Sequence, residues 1–177
     1  EWEWATVSKE TAVPTVYELA KREFGVVLNL CDGSRYKLTI PGVEVIEALE
    51  ALNLPFIGAD SSFYEPTREE MKRVCREQGI GTPAGVFLWD HADLRQAVAG
   101  LRYPLLVKHP NSYASIGLLP ESRVDDFTGL ESQVRRVMEA YGGALVEEFI
   151  AGREFSALAV ENPDAPGEPL IYPPVEF

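Results

Sequence analysis

Cysteine is scarce in this chain, and the two that occur lie far apart. Cys31 and Cys75 have no CxxC spacing and no nearby pair of histidines. A zinc site needs such clustered ligands, so the pattern argues against zinc and for a reducing compartment. Cys31 follows a buried apolar run and precedes Asp32-Gly33, a place where α/β proteins bind ligands. Because no activating base is identifiable for a nucleophile, a buried structural thiol is the favoured interpretation.

Clustered positive charge is also missing. The 177 residues carry 16 Lys and Arg against 28 Asp and Glu, a formal net charge of −12. Residues 1–66 hold 11 acids and 5 bases, and residues 67–177 hold 17 acids and 11 bases. Surfaces for nucleic acids or anionic membranes need concentrated Lys and Arg. We therefore expect neither as a partner, and an anionic ligand would have to be held by local groups.

Long apolar runs do not occur in the sequence. No run approaches the length of a membrane span, and Trp2-Glu3-Trp4 is unlike a signal peptide. We therefore expect a cytoplasmic protein. The chain starts without Met, and Val175-Glu176-Phe177 is typical of the middle of a strand. We expect a piece of a longer protein.

The first part of the chain has the pattern of a parallel α/β unit. Phe24 to Leu30 is apolar and β-branched, as in a buried strand, and Leu54 to Gly58 predicts a second one. Between them, Pro41-Gly42 opens a helix whose apolar residues share one face. Strand, helix and strand at this spacing predict a βαβ unit with parallel strands.

The second part begins at a boundary marked by Pro66. Thr67 to Glu70 is a capping box, which predicts the start of a helix. A helix with an apolar face is predicted from Phe127 to Tyr141, where apolar residues recur at steps of 3, 4, 3 and 4. Gly142-Gly143 would end this helix. The remaining predicted elements are strands at Val86–Trp89, Leu105–His109, Ala144–Phe149, Arg153–Val160 and Leu170–Phe177, and a helix near Asp90–Ala99.

These patterns predict two different units. The first, residues 1–66, is α/β. The second, residues 67–177, is α+β, with an antiparallel sheet and helices on one side.

Lys108 ends a short apolar strand, and a loop of small and hydroxyl residues follows it. An ammonium group at the end of a buried strand needs an anion, and a phosphate suits it; the alternative is a side chain that reaches water. The loop offers successive backbone N–H donors and allows close approach of an anion. Its residues are Asn111, Ser112, Ala114, Ser115 and Gly117. A plain hairpin turn is the alternative for the loop.

Acidic residues occur at and after the end of the strand that begins at Ala144. Glu147 would accept a hydrogen bond from an adenine amino group, and the backbone from Glu148 to Ile150 would meet the ring edge. Glu154 would bind ribose hydroxyls. The alternative is that these carboxylates are solvated charges. Carboxylates repel polyphosphate, so they fit only at the base and sugar end or beside a divalent metal.

In this order, the motifs resemble the ATP-grasp superfamily, in its D-alanine–D-alanine ligase-like branch. The similarity covers about Val26 to Phe177. It includes Leu54 to Gly58, the linking helix that ends at Gly79 to Pro83, and Pro104 to Lys108. The Ser112 to Gly117 loop and Val146 to Glu154 complete it.

The resemblance implies a partial Rossmann-like pre-ATP-grasp domain at 1–66 and a partial ATP-grasp domain at 67–177. It implies a carboxylate–amine ligase that uses ATP and Mg²⁺ and forms an acyl phosphate. Lys108 would bind the α- and β-phosphates, and Ser112, Ser115 and Gly117 would cover the phosphates. The adenine residues would be Glu147, Glu148 and Ile150, and the ribose residue Glu154.

The chain also departs from the family. The family's metal ligands are an acidic residue and a Glu-x-Asn pair, and we expect them C-terminal to Phe177. No metal ligand and no catalytic residue is therefore assigned. Asn29 to Gly33 stands where those ligases carry His-Gly, so the substrates are left as small amino-acid-like molecules. The alternative function is a degenerate relative that binds nucleotide or serves assembly without catalysis. A homodimer is left open.

Overall fold

The computed structural model describes residues 2–33, 39–90, 93–112 and 115–177. Its helices are α1 (Ala12–Leu19), α2 (Val43–Ala51), α3 (Arg68–Glu77), α4 (Leu94–Ala97) and α5 (Phe127–Tyr141). Its strands are β1 (Val27–Leu28), β2 (Phe56–Ile57), β3 (Gly85–Leu88), β4 (Leu105–Lys108), β5 (Arg123–Val124), β6 (Ala144–Glu148), β7 (Phe155–Ser156), β8 (Ala159–Val160), β9 (Leu170–Ile171) and β10 (Val175–Glu176). A short 3₁₀ turn, Pro120–Ser122, precedes β5. The chain divides into two compact units, Glu1–Arg73 and Val74–Phe177.

The first unit contains the predicted βαβ arrangement. β1 and β2 pair in parallel, with Val27 opposite Phe56 and Leu28 opposite Ile57, and α2 connects them. The strand predicted at Phe24–Leu30 is shorter in the structure. The parallel pairing confirms the α/β character of this part.

Helix α1 is an element that the sequence pattern did not indicate. Its Ala12 and Val16 are buried and pack with Val45 and Leu49 of α2. Pro14 and the β-branched residues around it have low helix propensity, which hides the helix in a local pattern. Packing of the buried face of α1 against α2 therefore stabilises α1.

The second unit is built on a four-stranded sheet in the order β3-β6-β4-β5. The neighbouring strands are antiparallel: Val86 of β3 and Val107 of β4 both lie opposite Val146 of β6. This pairing confirms the predicted antiparallel α+β arrangement.

Helix α5 covers one face of this sheet. Successive strand residues point to opposite faces, so every second residue of β4 and β6 enters the core. The buried core residues are Leu88, Val98, Leu105, Val107, Val124, Leu130, Val134, Val137, Met138, Ala144 and Val146. The intervening residues, Leu106 and Lys108 of β4 and Leu145 and Glu147 of β6, therefore share the other face.

Both ends of α5 are capped, and the helix ends at Gly142 as the sequence predicts. The Asp126 carboxylate accepts a hydrogen bond of 2.8 Å from the Gly129 N–H. Gly142 has a φ of 74°, and its N–H donates to the Met138 carbonyl. A left-handed backbone conformation at this position favours glycine.

The capping box of α3 is also confirmed. The Glu70 carboxylate accepts from the Thr67 N–H at 2.8 Å and from its hydroxyl at 2.7 Å. In return, the Glu70 N–H donates to Thr67 Oγ1 at 3.1 Å. These bonds lower the pKa of Glu70, since they favour its charged form.

The helix predicted near Asp90–Ala99 is shorter in the structure. α4 begins after Asp93, whose carboxylate accepts from the N–H groups of Arg95 and Gln96 at 3.1 and 3.3 Å. Part of the predicted range, residues 91–92, lies outside the described residues.

The two long strands predicted at Arg153–Val160 and Leu170–Phe177 are wrong in their extent. Each is divided, so that β7 pairs with β10 and β8 pairs with β9, both antiparallel. Pro173-Pro174 lies between β9 and β10, and proline has no N–H for a ladder. The ribbon is therefore interrupted there.

Leu130 tests the packing between α5 and the sheet. It is fully buried, so Leu130→Ala leaves a cavity and should lower the free energy of unfolding by about 2–5 kcal/mol. Urea unfolding followed by far-UV circular dichroism measures it. Glu131→Ala, at an exposed position of the same helix turn, is the matched control. Equal losses in the two variants would contradict the packing.

Candidate functional site

The centre of the candidate site is an ion pair between Lys108 of β4 and Glu147 of β6. Lys108 Nζ lies in salt-bridge contact with Glu147 Oε1. The side chains are only 14% and 6% exposed. The register places Glu147 opposite Leu106, so the pair runs diagonally across the sheet face that α5 leaves uncovered. Each charge therefore compensates the desolvation of the other.

For Lys108, the sequence predicts either a bound phosphate or exposure to water. In the structure, the Glu147 carboxylate neutralises the ammonium instead. The register between β4 and β6 determines which residues meet, and it is set by long-range pairing that local patterns do not reveal.

The described residues of the loop after β4 make several local hydrogen bonds. The Asn111 N–H donates to His109 Nδ1 at 2.8 Å, and the Ser112 hydroxyl donates to the Ile116 carbonyl at 3.4 Å. The Leu118 N–H donates to the Ser115 carbonyl at 3.0 Å. Ala114, part of the predicted loop, lies outside the described residues.

Two residues of this loop adopt left-handed backbone conformations. The φ of Ser115 is 55° and that of Gly117 is 77°. Alternation of left- and right-handed residues can turn consecutive N–H groups towards one anion. Ser112, Ser115 and Gly117 thus lie on one short segment that starts next to Lys108.

Glu148 points away from Glu147 and serves a different partner. Its Oε1 accepts from the Arg102 backbone N–H at 2.9 Å and from Arg102 Nε at 3.2 Å, and its Oε2 accepts from Arg102 Nη2 at 2.9 Å. These bonds lower the pKa of Glu148 and raise that of Arg102. The pair attaches the segment before β4 to the end of β6.

The backbone after Glu147 is partly engaged by the sheet. The Glu148 N–H donates to the Ala84 carbonyl at 2.8 Å, and the Phe149 N–H donates to the Pro104 carbonyl at 2.9 Å. Ile150 follows beyond these bonds and is 64% exposed. Of the residues predicted at the adenine ring, Ile150 thus lies past the end of the ladder.

Glu154 lies just before β7 and is exposed. Its carbonyl accepts a hydrogen bond of 3.1 Å from the Phe177 N–H. The structure thus brings Lys108 and Glu147 together and places the loop beside them, whereas Glu154 lies on the ribbon that follows β6.

Cys31 lies in the first unit and has the features of a structural thiol. Burial raises its pKa, with further contributions from the negative charges of Glu44 and Asp32. A thiol with a raised pKa has less thiolate and is a poorer nucleophile.

The Tyr64 hydroxyl, which sequence reasoning missed, lies 2.9 Å from the Cys31 carbonyl and 3.0 Å from the Gly33 carbonyl. Burial raises the pKa of Tyr64 to about 12, so it remains a donor.

The described part of the chain contains neither a metal-binding cluster nor a membrane-spanning helix. No group of three or more His, Cys, Asp or Glu side chains there could hold a metal ion. None of its helices is long and apolar enough to cross a membrane.

The curated relatives of the chain include several D-alanine–D-alanine ligases. The enzyme of Desulforudis audaxviator is 33% identical over 135 residues, which cover 73% of this chain and 42% of the relative. The chain thus spans less than half of the length of the curated relatives it matches first. No family model matches the chain.

Solved structures give the fold. The D-alanine–D-alanine ligase from Coxiella burnetii superposes with a TM-score of 0.69 at 23% identity, over 88% of this chain and 45% of that one. The ligase from Bacillus anthracis complexed with ATP has a TM-score of 0.66 at 21% identity, over 95% and 51%. The chain therefore carries a partial α/β ATP-grasp fold. Its resemblance to the D-alanine–D-alanine ligase-like branch is confirmed.

The Glu148–Arg102 pair predicts a pH-dependent effect. The pKa of Glu148 is lowered on folding, so the pair stabilises the protein above the unfolded value of 4.5 and loses this effect as pH falls through the lower folded value. Arg102→Gln should therefore destabilise the protein at neutral pH, and the difference from wild type should shrink below pH 4.5.

Urea unfolding from neutral to acidic pH measures this difference. Arg135→Gln removes the same charge from an exposed position and serves as the control. A wild-type-to-variant difference that stays constant as the pH falls through this range would contradict the role of the pair.

Proposed function

We propose that this chain is part of an ATP- and Mg²⁺-dependent carboxylate–amine ligase, and that residues 67–177 bind the nucleotide. The observation that carries the proposal is the Lys108–Glu147 ion pair at the base of the Ser/Gly loop. The support from similarity is that the curated relatives include D-alanine–D-alanine ligases and that one structural neighbour was solved with ATP. Residues 1–66 are proposed as part of a Rossmann-like pre-ATP-grasp domain.

Nucleotide binding would exchange the partners of this ion pair. The phosphates of ATP would take over the Lys108 ammonium, since a polyphosphate carries more negative charge than one carboxylate. Glu147 would then accept from the adenine amino group, which neutralises no charge but satisfies a polar oxygen. After the exchange, the phosphates would compensate the Lys108 ammonium, and the Glu147 carboxylate would keep a hydrogen-bond donor in place of its ammonium partner.

The other residues have proposed roles at the two ends of the nucleotide. Ser112, Ser115 and Gly117 would donate N–H and hydroxyl hydrogen bonds to the phosphates. Ile150 would meet the adenine edge through its backbone, and Glu154 would bind the ribose. Glu148 was assigned to adenine from the sequence; its carboxylate is bound to Arg102 and its N–H to Ala84, so its contribution would come from holding the strand end.

The reaction follows from the chemistry of the phosphate group. A carboxylate oxygen of the first substrate attacks the γ-phosphorus of ATP, which gives an acyl phosphate and ADP. The amine of the second substrate attacks the acyl carbon, loses a proton and expels inorganic phosphate, so an amide forms. The protein contributes position and charge neutralisation by Lys108 and the loop N–H groups.

Magnesium would supply further neutralisation of phosphate charge in such a reaction. The described residues contain no ligand cluster for it, so no residue of this chain is assigned to the metal and no step is derived through it.

The proposal is tested on the full-length protein with ATP, Mg²⁺ and a panel of small carboxylates and amino-acid-like amines. We expect release of phosphate that depends on both substrates, and formation of an amide detected by mass spectrometry. Nucleotide binding without release for any pair of amino acids would favour the non-catalytic alternative.

Lys108 provides a direct test of nucleotide binding. Lys108→Ala should lower ATP affinity by roughly tenfold or more, the size expected for loss of a hydrogen bond to a charged group. Isothermal titration calorimetry measures the affinity. Lys21→Ala removes an exposed lysine and is the matched control.

A second variant guards against misfolding in this test. Lys108→Ala leaves Glu147 without its ammonium partner, whereas Lys108→Met with Glu147→Gln removes both charges together. ATP affinity equal to wild type in either folded variant would overturn the assignment.

A further inference from the structure

Arg136 of α5 holds the end of the Ser/Gly loop. Its Nη2 donates to the Gly117 carbonyl at 3.0 Å and to Ser122 Oγ at 3.2 Å, while its Nε donates to Gln133 Oε1 at 2.8 Å. Ser122 is fully buried, and its hydroxyl also accepts from the Leu119 N–H at 2.9 Å. The guanidinium therefore links the loop to both the helix and the buried turn.

A second contact fixes the same loop on α5. The ring of Tyr141 lies so close to Gly117 that an added Cβ there would meet its ring atoms at 2.8 Å. The same ring also contacts His109, with ring centroids 4.6 Å apart. His109, before the loop, and Gly117, near its end, therefore both contact Tyr141 of α5.

We infer that Arg136 is a positioning residue for phosphate binding. Arg136 holds the Gly117 end of the loop in place before the nucleotide arrives. This inference rests on the proposed function, because the loop is taken to cover the phosphates. A loop ordered in advance loses less conformational entropy on binding, so its N–H groups bind the anion more tightly. The planar, forked guanidinium donates hydrogen bonds to three acceptors, and a lysine ammonium cannot reproduce this geometry.

The effect of Arg136 should fall on the phosphates and not on the base. In the full-length protein, Arg136→Gln should weaken ATP binding roughly tenfold, the scale of a hydrogen bond from a charged group. Adenosine binding should stay within about twofold of wild type on the same scale, since the proposed site places the loop at the phosphates and not at the adenosine part. Calorimetry gives the ATP affinity, and ligand-observed NMR gives that of adenosine.

Two further variants show whether the loss of ATP affinity comes from the guanidinium geometry or from the loss of a positive charge. Arg136→Lys keeps the charge but loses the fork, so its ATP affinity should remain below wild type. Arg135→Gln removes the neighbouring exposed charge and should bind ATP as wild type does. Full recovery in Arg136→Lys, equal losses for ATP and adenosine, or no loss in Arg136→Gln would each overturn the inference.

Hydrogen exchange without ligand distinguishes failure of this inference from failure of the proposed function. The amide of Leu118, which donates to the Ser115 carbonyl, should exchange faster in Arg136→Gln than in wild type and in Arg135→Gln. Unchanged exchange would overturn the role of Arg136 in holding the loop. If exchange is faster in Arg136→Gln but the wild-type protein binds no ATP, the nucleotide function is rejected, and with it the role of Arg136 in phosphate binding. The role of Arg136 in holding the loop would still be supported.

Discussion

The ion pair between Lys108 and Glu147 is the interaction on which the candidate site depends. Each group is nearly buried, and each would be costly to leave uncompensated. The chain as a whole is acidic, with a formal net charge of −12, so its overall field repels an anion such as ATP. A site for a polyphosphate on such a protein needs a cation protected from water and held in place. Pairing with a neighbouring carboxylate meets this requirement without a ligand.

The sequence predicts those parts of the fold that are encoded locally. The apolar steps of α5, its end at Gly142 and the capping box of Thr67 and Glu70 all depend on residues within a few positions of each other. Contacts between distant segments could not be found in this way. The pairing of Lys108 with Glu147 needs the register of β4 against β6, and the bond between Arg102 and the Glu148 carboxylate needs the same register.

Two elements differ from the predictions because tertiary packing or proline overrides the local pattern. α1 forms despite Pro14, since Ala12 and Val16 bury themselves against α2. The C-terminal ribbon has strand-like composition throughout, but Pro173-Pro174 supplies no N–H groups and divides it. Composition alone gives the right type of structure there and the wrong length.

Glu147 and Glu148 are adjacent in β6 but have different partners, so we propose a ligand-binding role for Glu147 and a structural one for Glu148. Because neighbouring strand residues face opposite sides, Glu147 meets Lys108 while Glu148 is bound by Arg102 on the other side. The Glu148 carboxylate accepts three hydrogen bonds from Arg102, which a nucleotide contact to this carboxylate would have to replace. In the proposed exchange, Glu147 would give up its ammonium partner for the neutral amino group of adenine. The proposed adenine contact therefore falls to Glu147 and to the backbone beyond the ladder at Ile150.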